Sequence, residues 1–210
     1  MNPYVLTATI GILYIVMFGG LTVLRREGLS TQLAIEVLGI TAITELVLFA
    51  FQAPFSPVWF LILIYLVSMR IRLLVDVANF LSSRGRQGNA IKLLQLSLRL
   101  LPDRISRLIV YVNMGIVQIR RKNPASAIEL FELVLEESQN GGLSIKYEAA
   151  CRYNYGVALL RQGNDAQAVR EFNEVSIVYP NSIYSRAAEI ALAKHRGSKQ
   201  KPADETPEEI

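Results

Sequence analysis

The sequence predicts an all-α chain in two parts: three N-terminal transmembrane helices, then an α-solenoid of helix pairs closed by a C-terminal capping helix. Three observations carry this. Residues 1–69 are almost wholly apolar, and their only charges are Arg25, Arg26, Glu27, Glu36 and Glu45. Residues 70–210 hold every other charged side chain. Within that second part, three stretches repeat one another. The division gives a membrane anchor over 1–69, a repeat domain over 70–196 and a tail over 197–210, whose Lys-, Pro- and Glu-rich composition predicts disorder.

The first span is read at Tyr4–Leu24, uncharged and long enough to cross the hydrocarbon as helix. Arg25 and Arg26 stop it, and no cleavage-type site follows, so it is read as a retained anchor. Gly11, Gly19 and Gly20 offer places for close helix approach. Thr31–Phe51 reads as the second span. Glu36 lies near its end, where it reaches the headgroup layer. Glu45 lies deeper and needs a hydrogen-bond partner in lipid. Thr41, Thr44, Tyr14 and Tyr65 are the available hydroxyls. A helix–helix hydrogen bond is the favoured role for Glu45, and a proton, ion or subunit contact is the alternative.

Pro54 and Pro57 mark a turn, and a third span starts near Val58. Its uncharged run to Met69 covers only about 18 Å. No proline or glycine separates Val58 from Ser83, so the span is predicted to continue through Arg70 and Arg72 as the first helix of the repeat domain. Taking residues 46–69 as one span would put Arg25/Arg26 and Arg70/Arg72 on opposite faces. Three spans put them on one side, with the N-terminus outside and the repeat domain cytoplasmic. The chain is thus expected to be an integral membrane protein of a bacterial inner or a thylakoid membrane.

The formal charge of +4 is concentrated. Residues 70–107 carry Arg70, Arg72, Arg84, Arg86, Lys92, Arg99, Arg104 and Arg107 against Asp76 and Asp103. Arg70, Arg84, Arg86 and Arg99 are read as facing anionic lipid. No base-reading or aromatic-interleaved motif accompanies the charge, so no nucleic-acid partner is expected.

The repeats align as ANFLSSRGRQGNAIKLLQLSLRLLPD (78–103), GIVQIRRKNPASAIELFELVLEESQN (115–140) and GVALLRQGNDAQAVREFNEVSIVYPN (156–181). Each opens on a small residue: Ala78, Gly115 or Gly156. Alanine follows 12 residues on, at Ala90, Ala127 and Ala168. A large apolar residue follows 4 further on, at Leu94, Phe131 and Phe172. This is a helix–turn–helix unit in which helix B crosses closely over the small residue of helix A. The large residue is read as filling the gap to the next repeat. The turns are placed at Gly85, Asn123 and Gly163, where positive φ is accessible. The pattern resembles the tetratricopeptide repeat family, most closely in YNYGVALLRQGNDAQAVREF (153–172). The first repeat departs from it, with Ala78 for glycine and Ser97 for alanine. Repeats are bounded at about 71–104, 108–141 and 149–182, with a capping helix at 183–196.

The resemblance implies a concave face built from the A helices. It assigns Arg72, Val75 and Asn79 from the first repeat, with Val112, Ile116 and Arg120 from the second. Tyr153, Val157, Leu160 and Arg161 come from the third. Some family members clamp a chaperone's C-terminal carboxylate with lysine, arginine and asparagine. Asn79 matches the asparagine, but Val112 or Ile116 stands where the lysine belongs, so the face suits an apolar or amphipathic segment instead. Asn113 and Asn154 are read as structural, bonding to a neighbouring turn. The plan of the chain is also similar to the membrane tetratricopeptide proteins that help assemble photosystem I in cyanobacteria and plastids.

No catalytic residues, metal ligands or cofactor site are expected. His195 is the sole histidine, and Cys151 is the sole cysteine, read as a packing residue. No phosphate-binding glycine loop is present. The expected function is a membrane-anchored protein-interaction scaffold or assembly factor acting on a subunit of a membrane complex. The alternative is an accessory subunit whose basic first repeat rests on the bilayer.

Overall fold

The computed structural model describes residues 3–24, 31–51, 56–139 and 143–200. The predicted stops at Arg25/Arg26, the start of the 52–57 turn, part of the 138–146 loop and the tail beyond Gln200 lie outside them. The helices run in order: α1 Pro3–Leu24, α2 Thr31–Phe51, α3 Pro57–Ser68, α4 Arg70–Ser83, α5 Gln87–Arg99, α6 Arg104–Arg120, α7 Pro124–Ser138, α8 Ile145–Gln162, α9 Asp165–Val178 and α10 Ile183–Gln200. The chain is therefore all-α, with an apolar helical part followed by helix pairs. It divides into two compact units, Met1–Val110 and Tyr111–Ile210.

In the first unit α1, α2 and α3 pack on one another around Tyr14, Val37, Phe60 and Ile64. Gly11 is the close contact: a Cβ there would stand 2.6 Å from Thr41 Oγ1. Gly20 has open space around it. α1 and α2 are each long and apolar enough to cross a membrane. α3 alone, at 12 residues, is not.

The continuous helix predicted from Val58 to Ser83 is not what forms. It breaks at Met69 (φ −96°, ψ 4°), and α3 and α4 bend by 65°. Around the break the carbonyls are shared with side chains: Val67 O accepts a backbone N–H at the cap and also the Arg70 guanidinium, at 2.8 Å, which itself pairs with Glu36. The Ser68 hydroxyl donates to Tyr65 O at 3.1 Å, beside the Met69 N–H. A break of this kind joins the apolar helices to the α4–α5 pair through a corner rather than a rod.

α4 and α5 then form an antiparallel pair that buries Ile71, Val75, Ala78 and Ser82 against Ala90, Ile91, Leu94 and Ser97. Ser97 is fully buried in place of alanine because its hydroxyl donates to Leu94 O at 2.7 Å.

The second unit holds α6 from Tyr111, with α7 to α10. Its helix crossings are those the repeat pattern requires. A Cβ on Gly115 would meet the Phe131 ring at 2.6 Å, and one on Gly156 would meet the Phe172 ring at 2.8 Å. Each phenylalanine thus seats first on the glycine of its own repeat, and Phe131 also reaches onward to Tyr155 of the next, 6.4 Å between centroids.

All three A helices close alike. A left-handed residue sits at Gly85 (φ 79°), Lys122 (φ 61°) or Gly163 (φ 87°). The N–H after it returns to the carbonyl five back: Arg86 to Leu81, Asn123 to Gln118, Asn164 to Leu159. Asn123 therefore does not take positive φ as predicted. It lies at φ −113° before Pro124, and its side chain caps α7 through Ser126 N. Ser182 caps α10 through Ser185 N at 3.0 Å. α10 runs on through Gly197 to Gln200 instead of ending at 196, since one glycine in a helix costs only about 1 kcal/mol.

Candidate functional site

The A-helix positions of the second unit fall in equivalent pairs: Val112 with Tyr153, Ile116 with Val157, and Arg120 with Arg161. In α6, Val112 is 2% exposed and belongs to the core, so it is no part of an open floor. Ile116, one turn on, is half-buried, and Arg120 is exposed. In α8, Val157 and Leu160 are half-buried and Arg161 is exposed. Tyr153 is held between Phe172 (5.9 Å) and Tyr184 (6.2 Å), which makes it part of the α8–α9–α10 packing.

Arg161 is not a free rim charge either. Its Nη1 donates to Ile119 O at 2.7 Å, near the carbonyl end of α6, where a cation is favoured. This bond ties α8 to the end of α6. What remains is an apolar strip in repeat register, Ile116 in α6 with Val157 and Leu160 in α8, all half-buried, with Arg120 and Arg161 one turn on from Ile116 and Val157.

Two polar networks, neither legible in the repeat pattern, tie α8 to its neighbours α7 and α9. Arg152 bonds Glu148 in its own helix and Glu171 in α9, each at 3.0 Å. Burial opposes the charge on Arg152, but its bonds to the two carboxylates outweigh that and hold its pKa above the ordinary arginine value. The Tyr155 hydroxyl donates to Glu132 of α7 at 2.6 Å and accepts from Gln167 of α9 at 2.7 Å. Burial, reinforced by the Glu132 carboxylate, pushes the Tyr155 phenol well above its usual range. Asn154 bonds back to Ala150 O at 2.7 Å, within its own helix rather than to a neighbouring turn. Asn113 is buried.

Cys151 is fully buried, with Sγ 3.8 Å from Phe131 O, and burial pushes its thiol pKa up. It is a packing residue. His195 Nε2 lies 3.5 Å from Asp165 Oδ2, tying α10 to the start of α9. Among the described residues no three His, Cys, Asp or Glu side chains gather closely enough to hold a metal ion.

In the first unit Arg72 is exposed, Asn79 is half-buried and Val75 is 5% exposed, packed into the α4–α5 pair rather than lining a groove. Arg84, Arg86 and Arg99 are exposed, and the Arg84 guanidinium sits 4.3 Å above the Phe80 ring.

Arg70 is withdrawn from the lipid-facing set. It grips Glu36 with two nitrogens, at 2.5 and 2.7 Å, and reaches Leu100 O at 3.1 Å. Gln32 completes the node, donating to Glu36 at 2.7 Å and to Leu101 O at 2.6 Å. Glu36 is therefore paired rather than offered to headgroups. Its sequence signal was an acid and a base at the ends of neighbouring apolar helices. Glu45 is half-buried, and three of the hydroxyls expected for it bond elsewhere. Thr41 bonds Val37 O, Thr44 bonds Ile40 O, and Tyr14 shares its hydrogen bond with Ser68.

Residues 150–182 match the tetratricopeptide repeat family model. The match begins within α8, takes in all of α9 and ends at the α10 cap. No curated protein matches the chain.

Proposed function

We propose that this protein is a membrane-anchored protein-interaction scaffold that holds a segment of a membrane-complex subunit, as an assembly factor would. α1 and α2 have the length and apolarity of membrane spans, and a tetratricopeptide repeat is a unit of protein–protein interaction. The observation that carries the reading is the recurrence of a half-exposed branched aliphatic, Ile116 and Val157, at one register of successive A helices. An apolar strip with an arginine at its edge suits an amphipathic helix or extended segment with an acidic flank. The chain is read as non-catalytic, in a bacterial inner or thylakoid membrane, with the repeat domain in the cytoplasm or its equivalent. Assembly of a photosynthetic complex is the narrowest form of the proposal.

A second reading, an accessory subunit resting on anionic lipid, is favoured by the exposure of Arg84, Arg86 and Arg99. Pull-down from detergent-solubilised membranes separates the two. Ile116→Glu/Val157→Glu is expected to lose the co-purifying subunit and keep vesicle binding. Arg84→Glu/Arg86→Glu/Arg99→Glu is expected to weaken vesicle binding in a salt-dependent way and keep the subunit. Retention of every partner by the strip variant, with loss by the arginine variant, would overturn the scaffold reading.

A further inference from the structure

Leu101 follows the C-cap of α5, where a helix commonly ends on a left-handed residue, but that residue is usually glycine. At Leu101 φ is +51°, a left-handed conformation that leucine, with its Cβ, rarely adopts. It also precedes Pro102, which disfavours compact conformations further. Yet its side chain is 79% exposed. The conformation is held by the backbone: Leu101 O accepts from Gln32 Nε2 at 2.6 Å and, at 3.4 Å, from Arg70. Leu100 O is held by the same guanidinium. The turn after α5 is thus fastened to the first turn of α2.

That attachment fixes where Leu101 is. α2 has 21 residues, about 32 Å of helix, which matches the hydrocarbon thickness with little to spare. Gln32 therefore marks the edge of the apolar layer, and a residue within hydrogen-bond reach of it lies at the same level. Leu96 (44% exposed) and Leu100 (37%) stand on the last turn of α5 beside it, with exposed Arg99 between them. At the end of α3, which Arg70 joins to the same node, Tyr65 and Leu66 are exposed as well.

We propose that the Leu96–Leu100–Leu101 knuckle inserts into the glycerol and upper acyl region of the leaflet at which α2 begins, with Arg99 at the phosphates, as a second kind of membrane contact beside the spans. The strained turn is what aims Leu101 at the lipid. The proposal rests on the reading of α1 and α2 as spans.

The test uses the full chain in phosphatidylcholine–phosphatidylglycerol vesicles, with an environment-sensitive thiol probe at Leu101→Cys and, separately, at Ile43→Cys in mid-α2. Leu96→Cys repeats the test outside the strained turn, should the first variant fail to fold. Buried Cys151 does not compete for label. Nitroxide lipids quench from near the glycerol or from the chain end. The probes at 101 and 96 are expected to be quenched more by the shallow nitroxide, and the probe at 43 more by the deep one. Quenching at 43 with none at 101 or 96, and free access of aqueous iodide to both, overturns the knuckle alone. Shielding of 101 and 96 from nitroxide and iodide alike means that protein covers the site, and overturns it too. No lipid quenching at 43 overturns the spans and the knuckle together.

Discussion

Replacing Gly156 by leucine tests the helix crossing on which the second unit depends. A Cβ at this position stands 2.8 Å from Phe172 Cε1 and 3.0 Å from two further ring carbons, where ordinary contact is about 3.5–4.0 Å. Phe172 is 1% exposed and is flanked by Tyr153, so the ring cannot swing aside. Leucine adds three more carbons to that clash. Overpacking of this kind costs about 3 kcal/mol at the upper end of its usual range. Leaving glycine for a good helix former returns about 1 kcal/mol. The net loss is about 2 kcal/mol, or about 30-fold in the unfolding equilibrium.

Cys151 supplies a local assay for this loss. It lies five residues before Gly156, is fully buried, and is the only cysteine in the chain. Its labelling rate in subdenaturing urea reads the opening of this unit, since the first unit holds no cysteine. Labelling about 30-fold faster in Gly156→Leu is expected. Arg161→Ala loses one charge-assisted bond at an exposed site, about 0.5–1 kcal/mol, and is expected to speed labelling only about 2- to 5-fold. Equal acceleration by the two changes would refute the assignment of faces.

Further outcomes follow from the same contacts. Lys122→Gly relieves a left-handed lysine and is expected to stabilise the second unit by about 0.5–1 kcal/mol, slowing Cys151 labelling, whereas Gly163→Ala, at φ 87°, is expected to speed it. Tyr155 has a raised pKa in the folded chain, so its contribution is complete below the ordinary tyrosine value near 10 and is lost as pH rises above it. Urea titrations are therefore expected to show stability falling above pH 10, and falling less steeply in Tyr155→Phe, which gives up its bonds to Glu132 and Gln167 at every pH. Glu36→Gln and Arg70→Gln are each expected to lower thermal stability in detergent by about 1–3 kcal/mol, and the double variant by less than their sum, because each single change strands a partner. Strict additivity would deny the pair.

The fold was legible where local pattern and tertiary packing agree. The small residues at 115 and 156, and the phenylalanines 16 positions later, are one crossing written twice, and they meet in space as the spacing requires. The apolar lengths of α1 and α2 were equally plain. The corner at Met69 was not, because nothing in residues 58–83 breaks a helix. At the break Arg70 pairs with Glu36, 34 positions away in sequence, a contact that no local pattern announces. The strip was half legible. Helical register found Ile116, Val157 and Leu160, but not that Val75 and Val112 lie in cores or that Arg161 is spent on Ile119. Register names a face, and burial depends on which neighbours arrive. Lys122 shows the same limit. The turn register calls for positive φ seven residues after the small residue, and residue preference pointed instead to the asparagine beside it.

The scaffold reading stands on what touches the strip in the native membrane. A photo-crosslinking amino acid at Val157, activated in intact membranes of cells expressing the full chain, reads that contact without extraction. One discrete protein adduct is expected, lost when Ile116→Glu is added and retained with Arg84→Glu/Arg86→Glu/Arg99→Glu. An adduct pattern unchanged by Ile116→Glu, or lipid adducts alone at this position, would contradict it.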